Sequence, residues 1–209
     1  MIEQPDASIK RWKKLRLRIL LTTLLSLQVF VLLQSAIAAE NPTIVVSVAE
    51  QKLYVFDENG HKVASYRVST SKFGIGDTRS SYATPTGQLE VASKIGHGAE
   101  TGAVFHHCRR TGEVCPPNSP GRDPIVTRIL ALRGLEQQNS HALSRGIFIH
   151  GTPEERNIGR PASYGCIRMK SRDVIELFEQ VRTGTRVEIT TDRVGGLFGN
   201  ASRVAAGHG

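Results

Sequence analysis

One stretch of the chain holds a thiol and an imidazole at a spacing that allows them to meet. Ile147-Phe148-Ile149-His150-Gly151-Thr152 carries a histidine near the end of a β-rich run, and Ser163-Tyr164-Gly165-Cys166-Ile167-Arg168-Met169 carries a cysteine just after a glycine. Fifteen residues lie between His150 and Cys166, enough for a loop to turn them face to face. A cysteine with a base is the minimum for nucleophilic acyl transfer. A nearby imidazole and a cluster of backbone N–H groups both lower a thiol pKa, and the Tyr164-Gly165-Cys166 backbone offers the second. The same N–H groups suit the oxyanion of a tetrahedral intermediate. No Asp or Asn sits at an obvious position to orient the imidazole, which leaves a backbone carbonyl such as that of Gly151. In an extended segment Arg168 points to the side of Cys166, where a guanidinium can grip a substrate carboxylate. Spacing alone also allows a blander account. A cysteine beside an isoleucine is often a small buried residue, and most histidines and arginines serve only surface or hydrogen-bonding roles.

The elements that must position these groups read as mostly β. Pro42–Ser47 is rich in β-branched residues, Gln51–Phe56 alternates and Lys62–Ser69 resumes the strand pattern, with Asp57-Glu58-Asn59-Gly60 as a turn, a meander signal. In the second run Ala49, Leu53 and Val55 share one side, Tyr54 and Phe56 the other. Thr70 to Ser81 is a polar loop, and Ala83-Thr84-Pro85-Thr86-Gly87 turns into a strand at Gln88–Val91. Gly96 to Pro124 is expected as a long loop that lies as a lid over the cysteine, since excursions of that length in compact domains tend to be functional. Ile125–Leu132 and Gly146–His150 are further strands, and Thr185–Thr190 closes the domain. Arg172 to Arg182 is the one well-defined helix, with Ser171 as N-cap, Asp173 in its first turn and Val174, Ile175, Leu177, Phe178 and Val181 on one face.

The first 39 residues are a different material. Six basic and two acidic residues precede Ile19 and account for half of the chain's formal charge of +8. An apolar run to Leu33 and an Ala-Ile-Ala end follow, which read as a cleaved export signal or an uncleaved membrane anchor. Either way residues 42–190 form a domain outside the cytoplasm, periplasmic or elsewhere in the cell envelope, touching the membrane only through the N-terminal segment, with 191–209 as a flexible tail. The remaining charge is modest and is not interleaved with aromatics, so nucleic acid is not an expected partner. Of three cysteines, Cys108 and Cys115 are spaced to permit a small disulfide loop, which would leave Cys166 as an odd thiol. His106-His107-Cys108 with Cys115 also invites a zinc reading, but adjacent histidines without a second paired motif make a poor ligand set, and no metal or cofactor is expected.

These residues also carry a family resemblance. The segment from His150 to Met169, the Thr84-Pro85-Thr86-Gly87 turn and the Gln51–Phe56 strand, in family order along the chain, resemble the YkuD-type L,D-transpeptidases over residues 43–189. The resemblance implies a β-sandwich-like catalytic domain and a cysteine acyl enzyme acting on peptidoglycan stem peptides. Cys166 would attack the third residue of a tetrapeptide stem, expel D-alanine and pass the acyl group to an amine of a second stem, a 3→3 cross-link. His150 would be the general base, Gly151 its orienting partner, and Tyr164 and Gly165 would line the oxyanion site. Ser163 and Arg168 would contact substrate, Arg168 through a stem carboxylate, and carbapenems would be an inhibitor class. Many relatives have Ser-His-Gly-Cys where this chain has Ser163-Tyr164-Gly165-Cys166, which predicts an altered acceptor preference. Two alternatives share the same cleft: hydrolysis, as a carboxypeptidase or amidase, and wall binding without turnover.

Overall fold

The computed structural model describes residues 43–194. The expected export segment, and the tail beyond Val194, lie outside the described residues. Ten strands and one α-helix make up the described domain. The meander forms as expected: β1 (Thr43–Ser47), β2 (Lys52–Phe56) and β3 (Lys62–Arg67) pair antiparallel in sequence order. Leu53 and Val55 enter the main core, while Tyr54 and Phe56 pack with Val45 and Val194 on the opposite face. β4 (Gly87–Ile95) and β7 (Ile125–Gly134) follow, and β10 (Arg186–Thr190) inserts between β1 and β4, parallel to β1. The last strand of the domain therefore lies inside the sheet. Leu89, Val91, Leu130, Leu132, Val187 and Ile189 reach the same core as Ile44, Val46 and the helix residues Val174, Leu177 and Phe178.

β7 is the strand on which the two parts of the network meet. It takes β4 along Ile129–Gly134, β5 (Ala103–His106) at its start and β8 (Phe148–Gly151) on Val126–Ala131. Its run from Val126 to Leu132 is buried throughout, as a strand covered on both faces requires. β8 then pairs parallel with β9 (Ile167–Met169).

The expected loop from 96 to 124 contains a hairpin instead, β5 (Ala103–His106) and β6 (Arg109–Val114). Every residue of β6 is exposed. An edge strand made largely of Arg, Thr, Gly and Glu avoids further pairing through its charges and carries no apolar alternation for a sequence reading to detect. His107 and Cys108 form the two-residue turn, both at positive φ (47° and 62°). Cys115 lies at the other end of β6, about 20 Å along an extended chain. Cys108 and Cys115 are both free, because a disulfide needs Cα atoms within about 7 Å. The same separation keeps Cys115 from joining His106, His107 and Cys108 in one ligand set.

The helix, α1, spans Ser171–Gln180. Ser171 is its first residue, not its cap: Glu155 Oε1 accepts the Ser171 N–H at 2.8 Å from a separate loop. At the other end Lys94 Nζ donates to the Phe178 and Val181 carbonyls, both at 2.6 Å, supplying the positive charge that a helix C-terminus favours. The tail expected from residue 191 begins as part of the fold. Ser47 Oγ donates to the Asp192 carbonyl at 2.6 Å, Glu50 accepts the Val194 N–H at 2.8 Å, and Val194 is buried. One valine among polar residues leaves no periodicity to read.

Candidate active site

The parallel pairing of β8 and β9 sets the site. Its register matches Ile149 with Ile167, His150 with Arg168 and Gly151 with Met169. Partners across a sheet share a face, so His150 and Arg168 project together while Ile149 and Ile167 fill the core. Cys166 lies two residues before Arg168, at the mouth of β9, and the Phe148 backbone N–H is hydrogen-bonded to its sulfur. The sulfur also lies 3.3 Å from the Gly146 carbonyl, to which a thiol can donate. His150 on β8 and Cys166, just ahead of β9, thus lie about one diagonal step apart across the extended register of the pair.

His150 is 4% exposed. Its Nδ1 lies 2.8 Å from the Gly151 carbonyl. A carbonyl only accepts, so Nδ1 carries the proton and Nε2 is left with a lone pair. Burial, the largest influence, lowers the imidazole pKa to about 4; the bond to Gly151 and the charge of Asp123 oppose this, and Arg168 adds to it. Burial also raises the Cys166 thiol, against the Phe148 N–H and the positive charges of Arg168 and Arg145. The resting pair is a neutral thiol and a neutral imidazole. Attack by sulfur therefore requires a proton to move, and Nε2 is the atom with the vacancy for it.

The turn that carries the cysteine is held from three sides. Gly165 has φ +117°, and a Cβ there would come within 3.1 Å of Ile147 Cδ1 and 3.3 Å of the Ala83 carbonyl. Thr84, fully buried, donates its hydroxyl to the Gly165 carbonyl at 3.0 Å and accepts the Ser71 N–H at 2.9 Å. Holding the Gly165 carbonyl fixes the plane of the peptide whose other end is the Cys166 N–H. That N–H and the Tyr164 N–H have no hydrogen-bond partner among the described residues, whereas the Gly165 N–H is taken by Ser163 Oγ at 3.2 Å. The expected oxyanion site thus reduces to two available donors, with Gly165 supplying shape.

Ser163 does not face a substrate. It is fully buried, and its hydroxyl closes the turn by donating to the Cys166 carbonyl at 2.6 Å. Arg168 is also placed differently from the expectation. Its side chain is 11% exposed and lies 2.5 Å from Asp123 Oδ2, with a further bond to the Ala162 carbonyl at 3.3 Å. Asp123 Oδ1 in turn accepts from Thr152 Oγ1 at 2.5 Å. The guanidinium already has its carboxylate. Tyr164 is 54% exposed, and its hydroxyl accepts from Lys72 Nζ at 3.0 Å, which lowers the phenol pKa.

Asp123, Lys72 and Thr84 Oγ1 are contributions that residue spacing alone does not reveal. Asp123 is one acid in a Gly- and Pro-rich segment and Lys72 one cation in a polar loop; only the Thr84–Gly87 turn carried a signal, through its family likeness.

The sequence profile of the YkuD family, the L,D-transpeptidase catalytic domain, matches residues 41–189. The Probable L,D-transpeptidase YcfS of Escherichia coli is 29% identical over 152 residues, covering 70% of this chain and 43% of YcfS. The Probable L,D-transpeptidase YbiS of Escherichia coli is 27% identical over 151 residues, covering 72% of this chain and 45% of YbiS. The chain spans less than half the length of either relative. A crystal structure of L,D-transpeptidase 3 from Mycobacterium tuberculosis, in complex with a faropenem-derived adduct, aligns with 72% of this chain and 60% of its own at 19% identity and a TM-score of 0.47. The profile takes in every strand of the domain except the final residue of β10, together with both members of the thiol–imidazole pair, and on that match the chain belongs to the YkuD family of L,D-transpeptidase catalytic domains.

Proposed function

We propose that this chain is an exported L,D-transpeptidase whose nucleophile is Cys166 and whose general base is His150. The observation that carries the reading is the buried imidazole, protonated at Nδ1 by its bond to Gly151 and open at Nε2, on the strand beside the cysteine. In the first half-reaction the Cys166 proton passes to His150 Nε2 as sulfur attacks the carbonyl of the third stem residue. The oxyanion is met by the Cys166 and Tyr164 N–H groups. The carbon–nitrogen bond to the terminal D-alanine then breaks, and His150 returns the proton to the leaving amine, giving a thioester. In the second half-reaction an amine of another stem attacks the thioester and gives its proton to His150. The thiolate leaves and recovers that proton, and a 3→3 cross-link results. Gly151 is the positioning residue for the imidazole.

The test is turnover of a disaccharide-tetrapeptide followed by mass spectrometry. A cross-linked dimer with free D-alanine supports transfer. Tripeptide alone points to hydrolysis by the same thioester. A wild type that leaves the substrate unchanged, as Cys166→Ala does, removes the enzymatic reading and leaves a wall-binding role. Carbapenems serve as a second probe: a single covalent adduct on Cys166 is expected.

A further inference from the structure

Lys72 is an accessible cation beside this site. The segment 69–73 runs alongside the cysteine-bearing turn, through a bridge between Ser71 and Ser163 and a bond from the Lys72 N–H to the Ser163 carbonyl at 3.1 Å. It brings an exposed ammonium to Tyr164, two residues from Cys166. Lys72 Nζ lies 3.0 Å from the Tyr164 hydroxyl and 4.3 Å from the centre of its ring. Because the hydroxyl oxygen accepts from Lys72, its own hydrogen is free to donate outward. An ammonium with two remaining N–H groups and one phenolic O–H therefore stand side by side at the surface beside the cysteine-bearing turn. Tyr164, Phe73 and Tyr82 pack with ring centroids 5.5 to 5.8 Å apart, each more than half exposed. They offer an apolar platform beside the polar pair. Arg168, by contrast, is buried and neutralised by Asp123.

We infer that Lys72 and Tyr164 together form the carboxylate-reading subsite of this cleft, taking a free carboxylate of the stem peptide while Phe73 and Tyr82 bear on the aliphatic part of the same chain. The inference rests on the proposed stem-peptide substrate. A carboxylate there receives one charge-assisted bond from the ammonium and one from the phenol, the arrangement in which such bonds are strongest. Tyr164, the residue at which this chain departs from many relatives, thereby gains a specific role. Its hydroxyl oxygen accepts from Lys72, and its O–H remains a donor for an anion.

The test separates binding from turnover. Titration calorimetry in the Cys166→Ala background compares a disaccharide-tetrapeptide with free stem carboxylates and the same molecule with those carboxylates amidated. The subsite predicts affinity for the free form about tenfold above that for the amidated form. Lys72→Gln should remove most of that preference, and Tyr164→Phe, which keeps the ring, a smaller part. Equal affinity of the two forms, an unchanged preference in Lys72→Gln, or no measurable binding of the free form would overturn it. Turnover by the wild type is measured separately, so absence of the reaction with preference intact would sink the transpeptidase reading and spare the subsite.

Discussion

At the scale of single residues, burial leaves both His150 and Cys166 neutral in the folded protein. His150 gives this a measurable consequence. Burial holds the folded imidazole at about 4, while the unfolded chain titrates near 6.5. Between those values the unfolded state binds the extra proton, so acid favours unfolding. The contribution is full above about pH 6.5 and is lost as pH falls toward 4, to a total of about 3 kcal/mol. Denaturant unfolding of wild type and His150→Gln at pH 7 and pH 4.5 should show a larger acid loss in the wild type; equal losses would mean that the imidazole is solvated in the folded protein. Thr84 makes a second prediction. Thr84→Val keeps the volume but leaves the Gly165 carbonyl and the Ser71 N–H without their partner in a buried place. We expect a loss of about 1–3 kcal/mol in stability, and a fall in turnover beyond what the unfolded fraction explains.

At the scale of elements, the cysteine turn depends on segments remote in sequence. The loop 70–84 is tied to the segment before β8 by a buried ion pair. Arg145 Nη1 and Asp77 Oδ1 are 2.7 Å apart with both side chains 4% exposed, and Arg145 Nη2 donates to the Ser81 and Ala83 carbonyls. Arg145 immediately precedes Gly146, whose carbonyl lies against the Cys166 sulfur. Asp77→Ala strands the guanidinium and should cost about 3–5 kcal/mol, read as a lower midpoint in urea. A shift under about 1 kcal/mol would show that water replaces the carboxylate and that the loop is held by other contacts. The β8–β9 pair is the element on which the proposed chemistry depends most. A one-residue slip of its register would exchange the faces of His150 and Ile149, so the full burial of Ile149 and Ile167 in the core keeps His150 on the face it shares with Arg168.

Across the whole molecule, local patterns were readable where burial is one-sided and unreadable where tertiary context decides. The meander, β7, β8, the helix and the closing strand all show in their apolar periodicity. The position of β10 inside the sheet does not, because parallel pairing with β1 is a contact between the two ends of the domain. The β5–β6 hairpin escapes because its edge strand is almost wholly polar, and the docking of Asp192–Val194 because one valine carries it. The sequence singles out Cys166 and His150 as candidates, whereas the partners of Arg168 and Tyr164 could not be read from it. Asp123 and Lys72 lie 45 and 92 residues from the groups they serve, and nothing in their own neighbourhoods marks them.

The proposed chemistry turns on a thioester at Cys166 formed with a tetrapeptide stem. Intact-mass measurement of the purified domain during turnover of disaccharide-tetrapeptide tests it most directly. The expected result is a transient increase equal to the stem minus D-alanine, located on the Cys166 peptide, absent in Cys166→Ala and slowed about a hundredfold or more in His150→Gln. An unmodified Cys166 while cross-linked product accumulates, or equal acylation in His150→Gln, would contradict it.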